Sequence, residues 1–283
     1  MVNNPLSLYK EELKQTEFTL ISRYVNQNFG IKLPEHKRIM LQGRLINRLV
    51  KLNLPNFKAY TDYAFSEQGR VSELPLMVDY ISTNKTDFFR ESVHFDILKE
   101  KSIPYFLENL KTKQMQIWSA GCSSGEEAYT IAMTCADEAR VKLDLDFTIL
   151  ATDVSLRMLE KGKNAIYSSK DIESFPEETK KRYLLKSKDN KKSVVRIKKI
   201  LRDKVMFQWH NLMDKEYDFH REFDIIFCRN VLIYFSKEDQ LHVLNNLYKN
   251  LKMGGFLFLG HSESINHFNL PLKNIGQTVF QKI

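Results

Sequence analysis

Four short stretches of this chain carry residues whose types and spacing suit ligand chemistry, and three of them close an apolar run. The first run ends in SAGCSSGEEAY, where Gly121 and Gly125 permit a tight turn and Glu127 lies one helical step on. The second, FTILATD, ends in Asp153, a carboxylate placed to accept hydrogen bonds from both hydroxyls of a ribose. The third, FDIIFCRNVLIYF, leads into Arg229, Asn230 and Tyr234, polar groups that packing alone does not ask for. The fourth, TNKTDFFRE, interleaves Asn84, Thr86 and Arg90 with Phe88 and Phe89. The glycine turn is not GxGxxG, and no lysine follows it as in a P-loop, so a nucleoside without phosphates fits better than a nucleotide. Each signal has a plainer explanation. Ser123 with Glu126, or Ser124 with Glu127, satisfies a capping box; Thr86 can start a helix; Asp153 can cap the helix after it. Taken together, they point to a nucleoside site.

The elements around these residues follow a regular order. From about residue 117 onward, short apolar runs alternate with longer amphipathic segments, the signature of a parallel sheet covered by helices. Ligands collect at the carboxyl ends of such strands, which is where the polar residues stand. Residues 1–85 read as a separate helical domain, with breaks near Pro34, Pro55 and Pro75, and 86–283 as the α/β domain. The stretch 168–207 breaks the alternation and is expected to form a small inserted antiparallel β-subdomain, with KSKDNKK as its turn.

Composition sets outer bounds. With 43% hydrophobic and 12% aromatic residues in 283, the chain can bury substantial cores. No run approaches the roughly 20 apolar residues of a membrane helix, and MVNNPLSLYKEELK lacks a secretory pattern, so a cytoplasmic protein without membrane insertion is expected. Cys122, Cys135 and Cys228 suggest buried free thiols, with neither a disulfide framework nor a metal site. The net charge of +8 points to anionic partners, and the dense run Lys186–Lys204 reads as a solvated face.

The segments TNKTDFFRE, WSAGCSSGEEAYTIAM, ATDVSLRMLEKG, FQWHNL, FDIIFCRNVLIYF and GGFLFLGHSES resemble, in order, the signatures of the CheR-type chemotaxis receptor methyltransferases. The resemblance covers nearly the whole chain. It implies a Rossmann-like methyltransferase fold that uses S-adenosylmethionine, yields S-adenosylhomocysteine and makes glutamyl methyl esters on the cytoplasmic helical bundle of chemoreceptors. Carried over by position, it implies that Asn84, Thr86 and Arg90 close over the methionine end of the cofactor. Glu127 then holds the amino group, Asp153 the ribose, and Asn211 and Leu212 flank the adenine, while Arg229, Asn230 and Tyr234 line the reacting end. Gly121 and Cys122 stand where alanines are common in relatives, which makes Cys122 a candidate for oxidation.

A glutamate acceptor, with a pKa of about 4.3, is already ionised at neutral pH, so no general base is expected. Arg90 and Tyr234 are the expected catalytic residues, steering the carboxylate. A nucleic-acid methyltransferase is the first rival, but the (Asp/Asn)-Pro-Pro-(Tyr/Phe) clamp for a base amine is replaced here by Arg-Asn-Val-Leu. A catalytically idle cofactor- or receptor-binding adaptor is the second. His261, Glu263 and His267 lack metal-ligand spacing, so no metal is expected, and the chain is read as a monomer. In HKRIMLQGRLINRLVKLN, helical periodicity puts Lys37, Arg44, Arg48 and Lys51 on one stripe with Ile39, Ile46 and Val50 opposite, an expected docking surface for an acidic receptor.

Overall fold

The computed structural model describes residues 11–109, 114–142, 145–189, 191–265 and 268–283. Among the described residues five α-helices come first: α1 (Gln15–Phe29), α2 (Arg38–Leu52), α3 (Phe57–Ala64), α4 (Glu67–Ser72) and α5 (Leu74–Ile81). Their apolar faces, among them Ile21, Val25, Leu41, Leu45, Leu49, Phe57, Tyr60 and Met77, share a core of their own. Each such side chain contributes roughly 1.5–3 kcal/mol on burial. The Asn56 side chain accepts from Ala59 N at 2.8 Å and starts α3.

This packing takes Arg48 out of the basic stripe expected on α2, leaving Lys51 exposed and Lys37 and Arg44 half-buried. Arg48 is 3% exposed and lies in a two-bond pair with Glu73, whose Oε1 also accepts from the Tyr60 hydroxyl at 2.9 Å. Arg44 is half-buried and donates to the backbone carbonyls of Ile81 and Ser82. Ile39, placed on the inner face by periodicity, is 79% exposed, whereas Ile46 is buried. Periodicity alone cannot see that a glutamate 25 residues away neutralises an arginine and lets it turn inward.

The α/β domain begins with α6 (Val93–Ile97), a π-helical turn (Leu98–Ser102) and α7 (Ile103–Asn109). Then come β1 (Gln114–Ala120), α8 (Glu126–Ala139), β2 (Asp146–Asp153), α9 (Leu156–Asn164), β3 (Ile166–Ser168), α10 (Glu177–Tyr183), β4 (Leu184–Lys186), β5 (Val194–Ile197) and α11 (Lys199–Arg202). The chain closes with β6 (Val205–Trp209), β7 (Phe223–Cys228), α12 (Lys237–Asn250), β8 (Leu251–Leu259), β9 (Leu272–Gly276) and β10 (Val279–Lys282). The main sheet has the order β6-β2-β1-β7-β8-β10-β9; its first five strands are mutually parallel, and β10 runs antiparallel to both neighbours.

Side chains alternate across this sheet. Ile117, Ile149, Ile225 and Phe227 join a core with α8, while Trp118, Leu150, Ile226 and Cys228 join one with Val243, Leu244 and Leu247 of α12. The chain leaves β1 toward β2 on one side and reaches β7 on the other, so the switch point lies at the end of β1. The antiparallel insert is a separate sheet, β3-β5-β4. It is narrower than expected from sequence, because β6 pairs in parallel with β2 and belongs to the main sheet.

Candidate functional site

Three strand ends meet at the switch point. After β1, Gly121 adopts φ +77°, and a Cβ there would come within 2.5 Å of Val231 Cγ2, so the loop turns tightly against the end of β7. Ser123 follows at φ 49°, a left-handed conformation that costs a residue other than glycine on the order of 1 kcal/mol or more. It is held there at both ends: Ser123 N donates to Asp153 Oδ2 at 2.8 Å, and its hydroxyl donates to Asn84 O at 3.0 Å. Neither serine caps α8, whose N-cap is Gly125; Ser124 donates instead to the Glu126 carboxylate. Asp153 is not the cap of α9 either, since Ser155 accepts from Met158 N. Asp153 Oδ1 accepts from Ser155 N at 2.9 Å, and each carboxylate oxygen keeps lone pairs for a ligand.

The end of β7 is organised around Arg229, whose side chain is 2% exposed. Its guanidinium donates to Glu127 Oε2 at 3.1 Å, to Glu91 Oε2 at 2.8 Å and to Arg90 O. Glu127 also accepts from the Ser119 hydroxyl at 2.7 Å. Asn230, at φ 58°, donates from Nδ2 to Glu91 Oε1 at 3.1 Å. Glu91 and Phe89 are themselves left-handed, at φ 55° and 52°, so the FFRES segment is a strained turn; no helix starts at Thr86. Burial works to raise the Glu91 pKa, but hydrogen bonds from Arg229 and Asn230 and the Arg229 charge bring it down to about 2. For Glu127 the balance is opposite: burial dominates and raises it, despite Arg229 and Ser119. Burial raises Asp153 as well, against its backbone N–H bonds.

One cleft is lined by Asn84, Thr86, Arg90, Glu127, Asp153, Asn211, Leu212, Arg229, Asn230 and Tyr234. Arg90 uses one N–H on Lys85 O, which leaves others for the cleft. Two of these residues are more committed than the sequence suggests. Asn211 donates from Nδ2 to Asn28 O at 2.7 Å and accepts from Met213 N, so its side chain stitches α1 to the α/β domain. Arg229 spends its guanidinium on the two glutamates and thereby orients Glu127.

Sequence reading missed the other wall. Phe29, Ile31, Lys32, Leu33, Lys37 and Met40 come from the helical domain, and Lys32 N donates to Tyr234 O at 3.3 Å. Only a contact across some 200 residues of chain creates that wall, and no local pattern announces it.

The histidines group differently from expectation. Glu263 turns inward, His267 lies outside the described residues, and His261 stands with Glu91 and His94, their ligand atoms within 4.8 Å of one another. Of the three, Glu91 spends its carboxylate on Arg229 and Asn230. Cys122, Cys135 and Cys228 are free and buried, and burial pushes all three thiols up, which removes the thiolate that oxidation of Cys122 would need.

The cleft can be matched to a ligand by its charges. Two carboxylates raised by desolvation, half-buried Glu127 and buried Asp153, are relieved by a cation, and Asp153 ends β2 where a ribose is bound in such sheets. His210, beside Asn211, borders the cleft while its ring packs among Trp118, Tyr217 and Phe219. A ligand that is cationic and carries a ribose meets both conditions. S-adenosylmethionine is such a ligand, and the fold and cleft place the chain in the class of methyltransferases that use it.

Comparison with known proteins narrows the class. Residues 16–82 match the all-alpha domain of CheR methyltransferases, and residues 84–281 match the CheR methyltransferase SAM-binding domain. A chemotaxis protein methyltransferase of Borreliella burgdorferi is 38% identical over 284 residues, covering 99% of this chain and 97% of that one. The Escherichia coli chemotaxis protein methyltransferase is 34% identical over 268 residues, covering 95% and 91%. The chain belongs to the CheR methyltransferase family and is an S-adenosylmethionine-dependent methyltransferase.

Proposed function

We propose that the enzyme esterifies glutamate side chains on the cytoplasmic helical bundle of chemoreceptors, with the cleft between its two domains as the transfer site. The observation that carries this reading is the shared cleft, which is lined by the buried Asp153 together with half-buried Glu127, Arg90 and Tyr234. When bound, S-adenosylmethionine would supply a methyl group on a sulfonium, and an acceptor carboxylate oxygen would bond to that carbon in line as the C–S bond breaks and the thioether leaves. Glu127 holds the cofactor's ammonium and Asp153 its ribose hydroxyls. Asn84, Thr86 and Arg90 close over the methionine end, and Asn211 and Leu212 border the adenine.

Arg90 and Tyr234 align the acceptor carboxylate by a charge-assisted and a neutral hydrogen bond. Since the acceptor is ionised at neutral pH, alignment and removal of water matter more than proton transfer. The cleft is complete within one chain, which supports a monomer, and the proposed acceptor supports a cytoplasmic enzyme. Among the described residues no helix is long and apolar enough to cross a membrane.

Attraction to an acidic receptor surface falls to the inserted subdomain instead of α2. Residues 168–207 hold thirteen Lys and Arg against six Asp and Glu, nearly the whole net charge of +8. Such attraction acts over about 8 Å at physiological ionic strength and fades with salt. The test is transfer of labelled methyl from S-adenosylmethionine to a cytoplasmic receptor fragment, followed by base treatment. Release of labelled methanol is expected. Base-stable label, label on nucleic acid, or no transfer by folded enzyme would each overturn the reading.

A further inference from the structure

We infer that Glu263 is a positioning residue of the methyl transfer, holding Asn230 and Tyr234 in place from behind the cleft wall. Glu263 follows β8 in the GHSES segment and is 4% exposed. Its carboxylate accepts four backbone N–H groups: Oε1 those of Val231 and Leu232, both at 2.8 Å, and Oε2 those of Asn230 at 3.0 Å and Gly260 at 2.6 Å. Three of the four belong to consecutive residues of the turn that leaves β7.

The local bonds of that turn, Tyr234 N to Val231 O at 3.2 Å and Phe235 N to Leu232 O at 3.0 Å, use later N–H groups than the three that Glu263 takes. Asn230 sits at φ 58°, and Val231 leads into a single 3-10 turn, Leu232–Tyr234, that ends on the proposed acceptor-steering hydroxyl. The approach of the β8 end is equally constrained, since a Cβ on Gly260 would lie 2.5 Å from Asn230 Nδ2 and 2.9 Å from Glu263 Oε2. Buried N–H groups facing no acceptor are costly, so the charged carboxylate fixes the turn in one geometry. Arg229 and Asn230, on one side of this anchor, are braced by Glu91; Tyr234, on the other, has its backbone oxygen bonded by Lys32 N. Glu263 therefore sets the distance between the Glu127 side of the cleft and the Tyr234 hydroxyl without touching a ligand.

A carboxamide at this place would turn an amine toward N–H donors and release half of the turn. Because the inference rests on the reading of Tyr234, its test is a double-mutant cycle of Glu263→Gln with Tyr234→Phe, measuring kcat, KM for receptor fragment and cofactor Kd. In the wild-type background Glu263→Gln is expected to lower kcat about tenfold or more, up to the loss seen in Tyr234→Phe, since a misplaced hydroxyl forfeits at most what its removal does. The cofactor Kd should move less than about threefold, and in the Tyr234→Phe background the same change should cost less than about threefold in kcat. Wild-type kcat in Glu263→Gln, an undiminished loss in the Tyr234→Phe background, or a loss of cofactor affinity equal to that of kcat would overturn it. Wild-type turnover in Tyr234→Phe alone would overturn the reading of Tyr234 and this path with it. Should Glu263→Gln fail to fold, Glu263→Asp, which keeps the charge and shortens the reach, runs the same cycle with the same criteria.

Discussion

Two buried arginines, Arg48 in the helical domain and Arg229 at the end of β7, present the same chemistry in different settings. Arg48 meets one glutamate in a two-bond pair, with Tyr60 bonded to the same carboxylate. Arg229 bridges two glutamates, and its surroundings pull them apart: Glu91 is driven down to about 2, while burial keeps Glu127 raised. A sealed pair of the first kind serves packing. A bridge of the second kind leaves one carboxylate short of compensation beside an open cleft, where a cationic ligand completes it.

The largest expected effect comes from removing each guanidinium. Arg48→Met should lower unfolding free energy by about 3–5 kcal/mol because it strands the buried Glu73, and Arg229→Met by a similar or smaller amount because it strands the half-buried Glu91 and Glu127. Only the second should also abolish cofactor binding in the molecules that remain folded. Denaturant titration with calorimetry on the same samples checks both, and equal cofactor affinity in the two variants would erase the distinction.

Tyr234→Phe sharpens the comparison on the site side. Loss of a hydrogen bond to a charged acceptor, about 1.5–3 kcal/mol, should slow single-turnover transfer tenfold or more and leave the cofactor Kd unchanged. A wild-type rate would remove the hydroxyl from the mechanism.

Acid should act through the α/β domain next. Burial brings His94 and His210 down to about 4, so between pH about 6.5 and about 4 the unfolded chain takes up protons that the folded chain refuses. Stability should therefore fall with pH across that window, by about 1.4 kcal/mol per unit for each histidine. Glu91, depressed to about 2, has the usual carboxylate sign, and its contribution is lost only below about pH 4.5. Flat stability between pH 6.5 and 5 would contradict the histidine assignment.

The smallest effect belongs to Lys51, an exposed residue of α2. Lys51→Glu should change stability by less than about 0.5 kcal/mol and leave receptor methylation at its wild-type salt dependence, in contrast to Arg48 on the same helix. A marked loss of methylation at low salt would restore the basic stripe on α2.

The strand ends were legible because the apolar runs of β1, β2 and β7 are fully buried and stop where polar chemistry starts, at Gly121, Asp153 and Arg229. The subdomain was legible as an interruption, but β6 was assigned to it because VMFQW carries no mark of which sheet it joins. Long-range partners stayed hidden. Glu73 for Arg48, Asn28 for Asn211 and Glu263 for the β7 turn are each paired across 25 or more residues, where no periodicity speaks. An acid between two serines after a strand was the one local sign of Glu263.

Calorimetric titration of the cofactor into wild type and Asp153→Asn checks the proposal that Asp153 and Glu127 receive S-adenosylmethionine. Two ribose hydroxyls then meet a neutral amide instead of a charged acceptor, so affinity should fall tenfold to 100-fold, on a scale of about 1.5–3 kcal/mol. Wild-type binding should also weaken as pH is lowered and release protons in mildly acidic buffer, because Asp153 and Glu127, both raised, must ionise to meet the cation. Unchanged affinity in a folded Asp153→Asn protein, with no proton release from wild type, would contradict the account.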